Sequence, residues 1–327
     1  MGDARYPGQA FPSGVSSGSL EGMRNTAVRV RNLRKAYGGR TVVDGVSFDI
    51  EHGETFALLG PNGAGKSTTV EILEGYRRRS GGEVAVLGED PGTAGLEWKA
   101  RIGIVLQPTG SGGLFTVREQ LRQFAGFYPR ARDVDEVIAA VGLEAQAKTR
   151  ISKLSGGQQR RVDVALGIIG RPELLFLDEP TTGFDPHARR EFWELIRRLQ
   201  GEGTTILLTT HYLDEAAQLA DRVAVIADGR LRAIGPVATI GGEEARVPVV
   251  RWIEGGASRE ERSREPFEFA TRLAARLGGA PAGLEIARPS LEDVYLNLVA
   301  EASAESGDEG LAEPVDAGDE IIQEGAR

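Results

Sequence analysis

Phe56-Ala57-Leu58-Leu59-Gly60-Pro61-Asn62-Gly63-Ala64-Gly65-Lys66-Ser67-Thr68 is the stretch on which the fold turns. A strand-sized apolar run enters a glycine-rich loop, and the loop enters residues 66–75, which read as a helix. The loop satisfies G-x-x-x-x-G-K-[ST]. Its glycines let backbone N–H groups approach and wrap phosphate oxygens, and the helix N-terminus adds partial positive charge. Lys66 is then the candidate contact to β- and γ-phosphates, and the Ser67 hydroxyl the candidate ligand for Mg²⁺.

Outward from this point the chain alternates short β-rich runs with helical stretches. Strands are expected at 27–33, 46–50, 55–59, 83–87, 102–106, 174–177, 204–208 and 222–227. Helices are expected at 66–75, 117–128, 158–169 and 188–199. Strands separated by helices predict an α/β fold with a largely parallel, helix-covered sheet. After Gly235-Pro236 the pattern weakens, with a strand expected near 247–252, a helix over 267–277 and a last segment over 289–299. The expected division is a disordered leader over 1–26, a main domain over 27–235, a small α+β subdomain over 236–300 and an acidic disordered tail over 301–327.

The 327 residues, 40% hydrophobic and 27% charged, suffice for one large domain and an appendage. Without cysteine, disulfides and thiolate metal sites are excluded. The net charge of −9 sits in the tail: from Glu301 onward nine acidic residues face one basic, leaving 38 basic against 39 acidic in the rest. A neutral body gives no sign of a nucleic-acid surface, so no nucleic-acid partner is expected. No apolar run approaches the roughly 20 residues of a membrane-spanning helix, and the N-terminus lacks a signal-peptide pattern. Any service to a membrane would go through a partner.

Further along, Leu154-Ser155-Gly156-Gly157-Gln158 opens a helix, and Ser155 with two glycines there makes a second anion-binding edge. Ser155 is also an ordinary helix N-cap, a reading that leaves Gly156, Gly157 and Gln158 without a reason. Leu174-Leu175-Phe176-Leu177-Asp178-Glu179 is an apolar strand ending in two carboxylates. Together, the phosphate loop, the Ser155 segment and this carboxylate pair resemble the ATP-binding cassette family over residues 27–235.

That resemblance implies a nucleotide-binding cassette with an antiparallel β subdomain and a helical subdomain beside the main sheet. It implies ATP and Mg²⁺ as ligands, Asp178 holding Mg²⁺ through its water shell, and Glu179 polarising the attacking water. Gln107 resembles the glutamine that touches the Mg²⁺ or water and senses a membrane partner. Asp185, in Gly183-Phe184-Asp185-Pro186, matches the residue that meets the opposite subunit, and His211 resembles the switch histidine near the γ-phosphate. Tyr37 resembles the aromatic that stacks on adenine, with ordinary packing as its other reading. Taken singly, Gln107 is a surface residue and His211 a capped histidine; their order and spacing carry the assignment. His52 and His187 read as solvated. Phe184 stands where leucine is more usual, and Asp163 and Gly167 make the helix after Ser155 less apolar than is typical.

The two phosphate edges are reconciled if two chains, expected to be copies of this one, pack head to tail and share each ATP. The resemblance further implies a separate transmembrane permease and a cytoplasmic location, peripheral on the inner face of the membrane. Arg288-Pro289-Ser290-Leu291-Glu292-Asp293-Val294-Tyr295-Leu296 looks like the closing motif of bacterial daunorubicin-resistance-type exporters, with a Ser-capped amphipathic helix as the plain alternative. The expectation is therefore an exporter ATPase for a drug or hydrophobic natural product. An importer ATPase, a cassette ATPase without transport and a module that holds ATP without hydrolysing it are the alternatives.

Overall fold

A computed structural model describes residues 25–105 and 114–305, with side chains described up to residue 302. Long strands β1 (Thr26–Tyr37) and β2 (Arg40–Glu51) form a hairpin that β4 (Gly81–Val86) extends into an antiparallel sheet, order β2-β1-β4. The central sheet holds β3 (Thr55–Leu59), β5 (Ile102–Val105), β6 (Leu174–Asp178), β7 (Thr205–Thr209), β8 (Arg222–Ala227) and β9 (Arg230–Pro236). Its order is β5-β6-β7-β3-β8-β9, parallel throughout except for β9, which pairs antiparallel with β8. All five residues of β3 are buried. A strand covered on both faces has no polar side, which is why this one reads as a continuous apolar run.

The helices are α1 (Lys66–Leu73), α2 (Leu96–Lys99), α3 (Val117–Ala125), α4 (Val134–Ala140), α5 (Gly156–Ile168), α6 (Pro186–Gly201) and α7 (Leu213–Leu219). They continue with α8 (Gly242–Ala245), α9 (Pro266–Leu277) and α10 (Leu291–Glu305). The two faces of the central sheet anchor two cores. On one face Phe56 and Leu58 meet Val28, Val30, Phe48 and Ile50 of the antiparallel sheet together with Val70 and Leu73 of α1. On the other, Ala57, Leu175, Leu177 and Leu208 meet Val164 and Ile168 of α5, Phe192 and Ile196 of α6, and Leu121 and Ile138 of the helical region. Burying a Leu, Ile, Val or Phe fully is worth roughly 1.5–3 kcal/mol over leaving it exposed, so these layers hold the site's strands rigid. Gly167 has a packing reason: a Cβ there would lie 2.6 Å from Val105 Cγ2, so α5 reaches β5 only with glycine at the crossing.

Differences from expectation lie mostly at element ends and in polar hairpins. The expected helix over 117–128 stops at Ala125 with Gly126 as its C-cap. β9 follows an Asp228-Gly229 turn in which both residues have positive φ (51° and 72°), the geometry of a tight hairpin. Beyond Pro236, β10 (Val249–Glu254), β11 (Ala257–Arg262) and β12 (Ala282–Ala287) form a second antiparallel sheet, order β11-β10-β12. Its small core joins Val250, Trp252 and Ile286 to Phe269 and Leu273 of α9. Helix α10 does not belong to that core. Leu291 and Val294 are buried with Ile240, Ala216 and Leu219 in the main one, and the helix runs to Glu305 with Ala302 buried. Residues 1–24, 106–113 and 306–327 lie outside the described set and take in most of the expected leader and tail; Thr26 already belongs to β1, and 301–305 to α10.

Candidate functional site

The loop Gly60–Gly65 joins the C-terminal end of β3 to α1, beside the ends of β6 and β7. In parallel α/β sheets ligands bind in the crevice at the carboxyl ends of strands. Gly60 is forced by a close approach: a Cβ there would lie 2.1 Å from the Ile226 carbonyl oxygen. Gly65 is the N-cap of α1 and provides no side-chain cap. The first-turn N–H groups therefore stay open to an anion. Pro61, Asn62, Gly63 and Ser67 are exposed along this edge, Thr68 is half-buried, and Ala64 is buried in the core beneath the loop.

Lys66 lies almost wholly buried, its Nζ donating to the carbonyl oxygens of Gly60 (2.7 Å) and Pro61 (3.0 Å). Burial pushes its ammonium below the ordinary lysine range, and the nearby Glu179 and Asp178 carboxylates partly oppose that shift. A buried lysine perturbed in this way, beside two carboxylates at the ends of parallel strands, is a candidate functional group.

Asp178 ends β6 opposite Thr209, the last residue of β7. Thr209 Oγ1 donates to Asp178 Oδ1 at 2.5 Å. Glu179 follows in a left-handed backbone conformation (φ 44°) that a non-glycine residue seldom adopts. His211 Nδ1 lies 3.4 Å from Glu179 Oε2, and the Thr182 hydroxyl donates to the same oxygen at 3.3 Å. Thus Lys66, Asp178, Glu179 and His211 share one cleft, while Gln107 lies outside the described residues. Tyr37, at the end of β1, is half-buried and has Lys35 Nζ 4.7 Å and the Arg77 guanidinium 5.4 Å from its ring centre.

The Ser155 segment stands elsewhere. Ser155 caps α5 by accepting from the Gln158 N–H (3.3 Å), and Gln158 Oε1 accepts from the Ser155 N–H (3.1 Å), a reciprocal capping box. The N-cap reading of Ser155 is thus met. With Gly156, Gly157, Gly183, Phe184 and Asp185, Ser155 and Gln158 line a cavity of about 540 Å³ that includes no residue of the Gly60–Thr68 loop. Asp185 caps α6, accepting from the His187 and Ala188 N–H groups at 2.9 Å each, and these bonds hold its carboxyl below the usual range. Phe184 turns inward and packs edge-on against Phe192, 5.9 Å between ring centres.

Thr182 and Thr209, which bond to the Glu179 and Asp178 carboxylates, escaped the sequence reading, and so did Arg160. Arg160, on α5 just past the Ser155 segment, is buried and donates to the carbonyl oxygens of Asp178 (2.8 Å) and Pro180 (3.0 Å). Asp163, one helical turn on, lies 3.7 Å from its guanidinium. The unexpected aspartate of this helix is therefore the partner of a buried cation, and an i,i+3 Arg–Asp pair inside an otherwise apolar helix face was the available signal.

A family model described as ABC transporter matches residues 43–182. The Nod factor export ATP-binding protein I of Rhizobium johnstonii is 44% identical over 250 residues, 75% of this chain and 79% of that protein. The protein of the same name from Neorhizobium galegae is 39% identical over 310 residues, 87% and 89% of the two chains. Among solved structures, a dimeric ATP-binding cassette in a post-hydrolysis state with ADP and Pi superposes with a TM-score of 0.58 at 25% identity, covering 64% of this chain and 98% of that one. The glycine-rich loop and the carboxylate-ended strand both lie inside the segment that the family model matches, and with relatives this similar the protein belongs to the ATP-binding cassette transporter family as an ATP-hydrolysing subunit.

Proposed function

We propose that this chain powers export through a separate transmembrane permease, working as a head-to-tail pair that binds two ATP molecules at its shared face. The observation that carries the pairing is the separation of two groups of residues: Lys66, Asp178, Glu179 and His211 in one cleft, Ser155–Gln158 and Asp185 around another cavity. A second copy would bring its Ser155 edge over the phosphates held by the Lys66 loop. A related cassette solved as a dimer supports this reading. Two relatives whose names specify Nod factor export support the outward direction, as does the 288–296 segment. The resemblance to drug exporters leads us to a hydrophobic natural product as cargo. No helix among the described residues is long and apolar enough to cross a membrane. On the family resemblance, the permease would be a separate chain and this one peripheral on the inner, cytoplasmic face.

In the cycle we propose, the loop N–H groups and Lys66 hold the β- and γ-phosphates and Tyr37 stacks on adenine. Glu179 orients the attacking water, with His211 and Thr182 fixing its carboxylate. The donor set fits Mg²⁺: the Ser67 hydroxyl and the Asp178 carboxylate are hard oxygens, and no described group of three or more His, Cys, Asp or Glu could cage a metal. Mg²⁺ favours one or two protein oxygens completed by phosphate and water, and when bound it would neutralise charge developing on the phosphates. Gln107 joins the set on resemblance alone. Phosphate release removes the charge bridging the two chains, and the pair opens.

The test is Glu179→Gln in the purified chain. Loss of the carboxylate is expected to cut turnover by about 10²–10⁴-fold with ATP affinity retained. Turnover near that of the parent protein would overturn Glu179 as the group that activates water.

A further inference from the structure

Thr209 is the last residue of β7, 1% exposed, and lies directly opposite Asp178 in the parallel ladder. A threonine hydroxyl offers one donor and two acceptor lone pairs. Here the donor goes to Asp178 Oδ1 at 2.5 Å, in the range for a hydroxyl donating to a carboxylate. The hydroxyl oxygen accepts from the Glu179 N–H at 3.2 Å, and the Thr209 carbonyl accepts from the same N–H at 3.1 Å. Among the described residues no other side chain hydrogen-bonds to the Asp178 carboxylate.

Two consequences follow from this geometry. With Oδ1 engaged, the Asp178 carboxylate is restrained in rotation, and its other oxygen accepts no hydrogen bond among the described residues. A freely turning carboxylate would have to be ordered each time a cation bound. The second consequence concerns Glu179, whose left-handed backbone (φ 44°) is costly for a non-glycine residue. Strain of that kind persists only where neighbouring bonds over-determine it, and both bonds to the Glu179 N–H come from Thr209. The same strand end leads through Thr210 to His211, so one hydroxyl ties the carboxylate pair to the strand that carries the histidine.

We infer that Thr209 is a positioning residue for ATP hydrolysis: its hydroxyl orients the Asp178 carboxylate toward Mg²⁺ and pins the backbone from which Glu179 reaches the attacking water. The inference rests on the proposed roles of Asp178 and Glu179 and deepens them. It explains why this position takes a hydroxyl in a strand whose preceding residues, Ile206, Leu207 and Leu208, are all apolar. Thr209→Val keeps shape and branching and removes only the hydroxyl; Thr209→Ser keeps the hydroxyl and loses a methyl. A packing role would spare valine and tax serine, and a positioning role does the reverse.

The experiment measures the dissociation constant of a non-hydrolysable ATP analogue with Mg²⁺ and with EDTA, alongside kcat and melting temperature, for the parent chain and both variants. Partners that orient a metal ligand are typically worth 10–100-fold in metal affinity or activity. Thr209→Val is accordingly expected to shrink the Mg²⁺-dependent gain in nucleotide affinity and to lower kcat, each by about 10-fold or more, with affinity in EDTA unchanged. Thr209→Ser is expected to restore both within a few-fold. If valine yields no folded protein, Thr209→Ala replaces it in the same comparison. A valine variant matching the parent in both readouts, or a serine variant as impaired as valine, overturns the inference. A parent chain with no Mg²⁺-dependent gain at all would instead sink the reading of Asp178, and this inference with it.

Discussion

Arg160 shows how a single side chain supports chemistry it never touches. Its guanidinium spans from α5 to the backbone of Asp178 and Pro180, on either side of Glu179. Replacing it by methionine keeps an apolar stem of similar reach but leaves two buried carbonyl oxygens and Asp163 without this partner. An unsatisfied buried acceptor costs about 1–3 kcal/mol, so Arg160→Met should lower unfolding stability by about 2–4 kcal/mol and reduce turnover, read from denaturant midpoints and phosphate release. Unchanged stability would show that the carbonyls find other donors. At this scale the phosphate loop was fully legible, because its spacing is a chemical requirement. Arg160 was not, because a sequence shows a charge on a helix without showing which backbone it faces. The strain at Glu179 was likewise invisible, since φ is imposed by what surrounds a residue.

Helix α1 carries an unusual group at its far end. Glu74, its C-cap, is buried, and desolvation, with the Asp178 and Glu71 carboxylates adding to it, pushes its carboxyl up to about 8. The folded chain therefore holds a proton between the ordinary glutamate value and about pH 8 that the unfolded chain has released. Stability then falls as pH rises through that window. Glu74→Gln should flatten this slope, leaving stability near pH 4.5 little changed and raising it at pH 8 by about 2–4 kcal/mol, as followed by thermal melts across pH. A variant whose pH profile parallels the parent's would contradict the assignment. Among elements, β3 and β8 lie where the apolar runs placed them, since fully buried strands admit no polar interruption. Strands β9 and β11 were missed because none of their residues is fully buried and their alternation is weak, yet Asp228-Gly229 and Gly255-Gly256 were hairpin signals in plain view.

At the scale of the whole molecule, the C-terminal region divides in a way that composition did not reveal. Sheet β10–β12 with α9 has its own small core, whereas α10 returns to bury Leu291 and Val294 against the central domain. Non-local docking of this kind is set by facing surfaces, and local periodicity shows only that a helix has an apolar side. The proposed pairing of two chains is the claim on which the functional account rests, and it is argued from the same kind of geometry: two edges of one chain, each proposed to bind phosphate, lining separate spaces. It is tested most directly by a second substitution placed on the trapped chain. With Glu179→Gln and Mg²⁺-ATP, light scattering is predicted to give twice the monomer mass. Adding Ser155→Arg, at an exposed N-cap outside the Lys66 cleft, is predicted to abolish that dimer while the chain still binds ATP, whereas Lys66→Ala abolishes both. A Ser155→Arg chain that remains dimeric, or one that loses ATP binding as Lys66→Ala does, would contradict the shared site.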